Sequence, residues 1–241
     1  MMSKTLISLA LCCLIGVLIF QQTLFAEEKE KAVSAAETFQ LLEEVIQSWV
    51  DYERLPGVSL GIVKDQKLIF QSYAGYADPE KKIKADKSTK YSICSISKLF
   101  TSIGIMKLSE DGQLNISHAV SDYIPELKIK KSFPQTTPMN LKALLTHSSG
   151  LPREAGGDFW WPENKVSFPS VDRIIERANK KSTLYPINQH MQYSNLGMSL
   201  LGEVIQRVAK DEYSSYIQKN ILAPLNMKDT KIDPSQSLYA Q

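Results

Sequence analysis

The chain has 241 residues, 22% of them charged and 43% hydrophobic, with a formal net charge of +2. This is globular composition with enough apolar residues for one sizeable core or two lobes, and its near-neutral balance gives no footing for a nucleic-acid partner. No block of like charges, internal repeat or low-complexity tract marks a tail or a repeat array.

Lys4 gives a positive start, Leu6 to Phe20 is an almost unbroken apolar run, and Ala26 precedes the charged EEKEK. These are the parts of a secretory signal peptide over 1–26, cleaved after Ala26. Cleavage leaves a domain over 27–241 in a secreted or periplasmic location, with the membrane involved only in export. An uncleaved anchor is the alternative, but the apolar run is shorter than the roughly 20 residues that a spanning helix needs. Cys12 and Cys13 leave with the signal, so Cys94 remains alone and no internal disulfide can form.

Glu27 to Ala36 is a charged lead-in. Phe39, Leu42, Val45, Ile46 and Val50 then form a helical stripe that stops near Pro56. GVSLGIVKDQKLIFQSYAGYAD reads as two strands around a turn at Asp65–Gln66, with Gly75 and Pro79 breaking the pattern. Ser95 to Leu108 is expected as a helix that is apolar nearly all round and therefore buried, stopped at Gly112 in the left-handed cap conformation. LNISHAVSDYIPEL alternates polar and apolar residues up to Pro125. MNLKALLTHSSGLP is a short helix and a Gly–Pro loop, and a long loop with Phe159, Trp160 and Trp161 follows. Helices are predicted for SVDRIIERANK, capped by Ser170, and for YSNLGMSLLGEVIQRVAK, with Leu201, Val204, Ile205 and Val208 on one face. A last helix, YSSYIQKNILAP, ends at Pro224. Two strands thus precede a helical remainder, and two strands alone make a marginal sheet.

The chemistry concentrates in two short stretches. Ser95 and Lys98, three residues apart, share one face of the predicted helix. A serine hydroxyl is a weak nucleophile that needs a base beside it, and a lysine serves if burial or a neighbouring cation lowers its pKa. At a helix N-terminus the serine also gains free N–H groups and the helix dipole, which favour negative charge on an attacked carbonyl oxygen. A capping serine and a solvent-facing lysine fit the same pattern. Tyr193 and Asn195 stand two apart just before the Leu196 helix and point the same way. A phenol near a lysine ammonium has its own pKa lowered and can shuttle a proton. Ser194 or Asn195 also suits the cap of that helix.

Together, S-x-x-K at Ser95–Lys98 and Y-x-N at Tyr193–Asn195 resemble the serine β-lactamase and penicillin-binding protein superfamily, in particular its class C and D-alanyl-D-alanine carboxypeptidase/esterase branch. SISKLFTSIGIMKLSEDGQL is similar to the family's nucleophile helix and its cap, and VSDYIPEL and LKALLTHSSGLP to the segments that follow. YSNLGMSLLGEVIQRVAKDEYSSYIQKNILAPLNMKDT is similar to the Tyr-motif helix and what comes after it, so the likeness runs from about Phe39 to Ile232. The resemblance implies an α+β, β-lactamase/transpeptidase-like fold, with an antiparallel sheet flanked by helices plus a helical lobe. It implies that Ser95 is the acylated nucleophile and Lys98 the base that activates it. Tyr193 then passes the proton to the leaving group and activates the deacylating water, while Asn195 orients the substrate amide. His147 reads as structural, holding the loop after LLTH. No cofactor is implied. His118 and His190 lie apart from any carboxylate or cysteine cluster, so no metal site is expected.

The pattern departs from the family in places. Its third motif, K-T-G or H-x-G, has no match after Asn195, and the sequence ends at DPSQSLYAQ. The sheet strands, closing helix and second oxyanion donor of that region are therefore expected to be missing. A C-terminally incomplete hydrolase, a short variant that serves as a penicillin-binding or sensing module, and a non-functional reading frame all fit. Pro186 precedes Tyr193 without the glycine often found there. Cys94 is expected as a small buried side chain, the other reading being a second nucleophile. Phe159 to Trp161 are expected either to wall the site or to cover the core. The resemblance implies a small-molecule or peptidoglycan-derived substrate, a D-Ala-D-Ala peptide, a β-lactam or a small ester, and leaves the choice among them open.

Overall fold

The computed structural model of the protein describes residues 34–133, 137–156 and 169–232. The signal peptide predicted over 1–26 and the aromatic loop from Phe159 to Trp161 lie outside the described residues. After Thr89 the chain divides into two compact units.

The first unit is a helix on a small antiparallel sheet. Helix α1 (Ala35–Glu53) opens with a reciprocal cap: Ser34 Oγ accepts the Glu37 N–H at 3.2 Å, and Glu37 Oε2 accepts the Ser34 N–H at 2.8 Å. It closes on Arg54 in left-handed backbone (φ 53°). Ile46 and Val50 are buried against Phe70 and Ala74, and the Phe39 ring stacks on Phe70 at 4.8 Å. Val45 departs from the predicted stripe. It is 54% exposed, because it stands about 100° around the helix from Ile46 and shares the outer face with Leu41 and Trp49. Strands β1 (Gly57–Lys64) and β2 (Lys67–Asp78) pair around Asp65 (φ 49°) and Gln66 (φ 61°). Two left-handed residues in a two-residue loop match the right-handed twist of the strands they join. Gly75 does not end β2 as the sequence suggests. At φ 75° it lets the chain pass so close to Pro56 that a Cβ would stand 2.5 Å from the Pro56 carbonyl oxygen. The strand continues to Asp78, and a third strand, β3 (Ile83–Lys84), pairs with it, giving the order β1-β2-β3.

The second unit is helical. A 3₁₀ turn over Cys94–Ile96 leads into α2 (Ser97–Glu110), followed by α3 (Val120–Tyr123), α4 (Leu141–Leu145), α5 (Val171–Asn179), α6 (Asn195–Ala209) and α7 (Tyr213–Ile217). Its core joins Ile105 and Leu108 of α2, Leu141 and Leu144 of α4, Leu201 and Ile205 of α6, and Ile217 of α7, all essentially inaccessible. Each such side chain contributes about 1.5–3 kcal/mol on burial. The partly buried Thr101 and Tyr213 hydroxyls satisfy one another at 2.7 Å. Arg207 of α6 is tied to Glu126 and Glu203.

Helix α2 is not buried all round. Thr101, Gly104, Ile105 and Leu108 face the core, while Leu99 is 57% and Met106 48% exposed. The helix also starts two residues later than expected, which leaves Ser95 on the 3₁₀ turn.

Gly150 fixes the approach of the chain that leads to Tyr193. It has φ 73°, its carbonyl accepts the Leu184 N–H at 2.7 Å, and a Cβ there would run into the Tyr185 carbonyl oxygen. Gly150→Ala is expected to lose about 1–3 kcal/mol from the left-handed backbone alone, read as a lower midpoint in denaturant unfolding. An unchanged midpoint would show that residue 150 can leave the left-handed backbone without loss.

Candidate active site

Cys94 takes left-handed backbone (φ 45°) immediately before Ser95, and the 3₁₀ turn follows. Such a conformation is costly for a residue with a side chain and collects at functional sites. The Cys94 thiol is exposed, with Sγ 3.6 Å from Ser92 Oγ, and is not the small buried group that the sequence suggested. Ser95 is exposed beside it, and Lys98 is half-buried one turn along.

Three of the four predicted residues meet at one atom. Lys98 Nζ donates to Ser95 Oγ at 3.2 Å, and Tyr193 Oη donates to it at 2.9 Å. Lys98 Nζ also stands 4.9 Å from the centre of the Tyr193 ring, and the Arg153 guanidinium 5.0 Å from it. The Tyr193 phenol is held below the ordinary tyrosine range, first by its hydrogen bond with Lys98 and then by the one with Ser95. Both stabilise the phenolate, so a base becomes available at lower pH than a free tyrosine allows.

Tyr193 owes its place to the start of α6. Ser194 caps that helix: its Oγ accepts the Gly197 N–H at 2.9 Å and donates to the Pro152 carbonyl at 2.8 Å. The Arg153 carbonyl accepts the N–H groups of Asn195 and Leu196 at 2.9 and 3.1 Å. Asn195 is buried and does not join the other three at Ser95. Its Nδ2 donates to Glu154 Oε1 at 2.5 Å, while its Oδ1 is enclosed without a partner among the described residues. Arg153 and Glu154, which pair at 3.5 Å, are the residues that sequence reasoning missed. Their only signal was a position just after the LLTHSSGLP segment.

The arrangement sets two proton-carrying groups on one serine oxygen, the form that activation of a weak hydroxyl requires. Open clefts line up elsewhere, along Ile103 and Met106 of α2 and near His118 and Tyr123. Neither touches Ser95.

The beta-lactamase family model matches residues 42–239. Protein flp of Staphylococcus aureus (strain MW2) is 34% identical over 193 residues, covering 79% of this chain and 38% of that protein. Among solved structures, the octameric penicillin-binding protein homologue from Pyrococcus abyssi aligns with TM-score 0.68 and 32% identity, covering 78% of this chain and 43% of that one. A beta-lactamase/D-alanine carboxypeptidase from Yersinia pestis aligns with TM-score 0.69 and 26% identity, covering 85% of this chain and 58% of the other. The chain therefore spans little more than a third of the curated relative's length and about half of each structure's. With a family model over most of its length and the β-lactamase/transpeptidase-like fold in both alignments, the chain belongs to the beta-lactamase family, within the serine β-lactamase and penicillin-binding protein superfamily.

Proposed function

We propose that the chain acts by acyl transfer to Ser95, as a serine hydrolase of D-Ala-D-Ala-type peptides, β-lactams or small esters. The observation that carries this reading is the convergence of Lys98 Nζ and Tyr193 Oη on Ser95 Oγ, at 3.2 and 2.9 Å. Lys98 activates Ser95 by taking its proton when the amine is free. The Oγ–acyl bond forms as the amide or ester bond breaks, and Tyr193 hands a proton to the leaving group. Tyr193 then takes a proton from the water that releases the acyl group. Asn195 orients the substrate amide once its enclosed side chain, held on Glu154 in this structure, turns toward Ser95. The predicted signal peptide would deliver this chemistry outside the cytoplasm, where cell-wall peptides lie. That the Yersinia pestis neighbour is a D-alanine carboxypeptidase supports the peptide substrate class. The second reading is a penicillin-binding or sensing module that is acylated but turns over slowly, favoured by Asn195 being held on Glu154 rather than at Ser95.

Incubation of the purified chain with a fluorescent penicillin, digestion and mass mapping test both. Label is expected on Ser95 and absent in Ser95→Ala. Label on Cys94 would overturn the nucleophile. Labelled protein that releases no product would favour the sensing module.

A further inference from the structure

One residue grips the chain on both sides of Tyr193. His147 follows α4 in left-handed backbone, at φ 56°. Its carbonyl accepts the Gln192 N–H at 2.8 Å, and its Nδ1 accepts the Ser194 N–H at 3.2 Å. Its ring lies against the Tyr193 ring, with centroids 4.7 Å apart and 38° between planes. The residues before, at and after the phenol are thus gripped by one side chain and its own backbone. The same two loops are joined next door, where Ser148 Oγ donates to Asn188 Oδ1 at 3.0 Å and the Ser148 carbonyl accepts the Asn188 N–H at 2.8 Å. A backbone N–H can only donate, so Nδ1 must present a lone pair to Ser194.

We propose that His147 is the positioning residue for Tyr193, holding the phenol over Ser95 while Nδ1 is unprotonated and releasing Ser194 when that nitrogen takes up a proton. The consequence for catalysis rests on the acyl-transfer reading above, whereas the geometry of the grip does not. The titratable and charged groups about the two tilted rings are Tyr193 itself, Lys98 from α2, and Arg153 with Glu154 paired to it. Burial, and then the Lys98 ammonium, push the His147 ring below the ordinary histidine range. At neutral pH the ring is therefore neutral and the grip closed. Acid opens it and sets a further cation near Lys98. A displacement of an ångström or so at a reacting group costs about 10²-fold in rate, so a phenol held at 2.9 Å from Ser95 Oγ is sensitive to the loss.

Two substitutions and two readouts decide the matter. His147→Gly takes left-handed backbone without strain and removes the ring. His147→Asn tolerates the same backbone and places Oδ1 where Nδ1 stood. In the full chain, His147→Gly is expected to acylate with a fluorescent penicillin about 10²-fold more slowly, and His147→Asn to recover most of that loss. As pH falls through the His147 pKa, which lies below the ordinary histidine range, the log rate of acyl release in wild type should steepen from a slope of about one to about two, as His147 titrates in addition to Tyr193. His147→Asn should keep the shallower slope. In ¹⁵N-labelled wild type, the Ser194 amide resonance should follow the titration of His147, and in His147→Asn it should not. The amide readout needs no acylation, so a wild type that takes no label would count against the hydrolase reading while Ser194 still reports on the grip. A Ser194 amide indifferent to the titration of His147 would overturn the proposal. So would a folded His147→Gly protein that acylates at the wild-type rate.

Discussion

Lys98→Ala is expected to slow acylation of Ser95 by about 10²–10⁴-fold, the usual share of a positioned proton carrier, with the fold intact. Lys98 is half-buried at the start of α2 rather than in its core face, which Thr101, Gly104, Ile105 and Leu108 form. Its loss therefore empties no core position. Two effects disappear together: the Nζ contact with Ser95 Oγ at 3.2 Å, and the hydrogen bond that contributes most to lowering the Tyr193 phenol. Lys98→Arg separates them. A guanidinium keeps the positive charge beside Tyr193 but does not give up its proton at any ordinary pH. If Lys98 takes the Ser95 proton, the arginine variant labels nearly as slowly as the alanine variant, while its Tyr193 still ionises early in an ultraviolet titration. An arginine variant as fast as wild type would reduce Lys98 to a source of charge and pass the base role to Tyr193.

Where a feature depends on neighbours three or four residues away, the sequence displays it. The Asp65–Gln66 turn was legible because apolar alternation stops on either side of it. Ser170 and Ser194 were legible as caps because each satisfies an N–H three residues on. Ser95 and Lys98 form the same kind of local pair. Burial is another matter, because hydropathy records that Leu99 and Met106 are apolar and not whether anything lies over them. That is how a helix apolar nearly all round leaves both substantially exposed. Strand β3 has only two residues, too few for any period to show.

The remainder of the site is built through space. Tyr193 reaches Ser95 across 98 residues of sequence, and only the likeness to a known family joined the two motifs beforehand. Glu154 meets Asn195 across 41 residues, on a loop with no period to read. Arg153 fixes the start of α6 with its backbone carbonyl, a contact that any residue type could make and that leaves no trace in composition. His147 was legible as a loop-holding residue, but which loop it holds depends on how the segment around Gln192 returns to it.

Tyr193→Phe should lower acylation by about 10²–10⁴-fold and slow release of the acyl group at least as much. Phenylalanine keeps the ring, and with it the contact with His147 at 4.7 Å and the approaches of Lys98 and Arg153 at 4.9 and 5.0 Å. Only Oη is lost, along with its hydrogen bond to Ser95 Oγ at 2.9 Å, so a change in rate reports on proton transfer rather than on packing. The pH profile makes the assignment sharper. Lys98 and Ser95 hold the phenol below its ordinary range, so the phenolate accumulates as pH rises and does so before a free tyrosine would ionise. Release of the acyl group in wild type should therefore climb with pH and level off below about pH 10, the free-tyrosine value. In Tyr193→Phe that climb should vanish, leaving a slower rate whose remaining pH dependence belongs to other groups. Lys98→Ala should move the plateau upward, because the largest cause of the lowered phenol pKa is gone. A Tyr193→Phe protein that retains the wild-type climb would transfer it to Lys98 and leave Tyr193 as a hydrogen-bond donor that never parts with its proton.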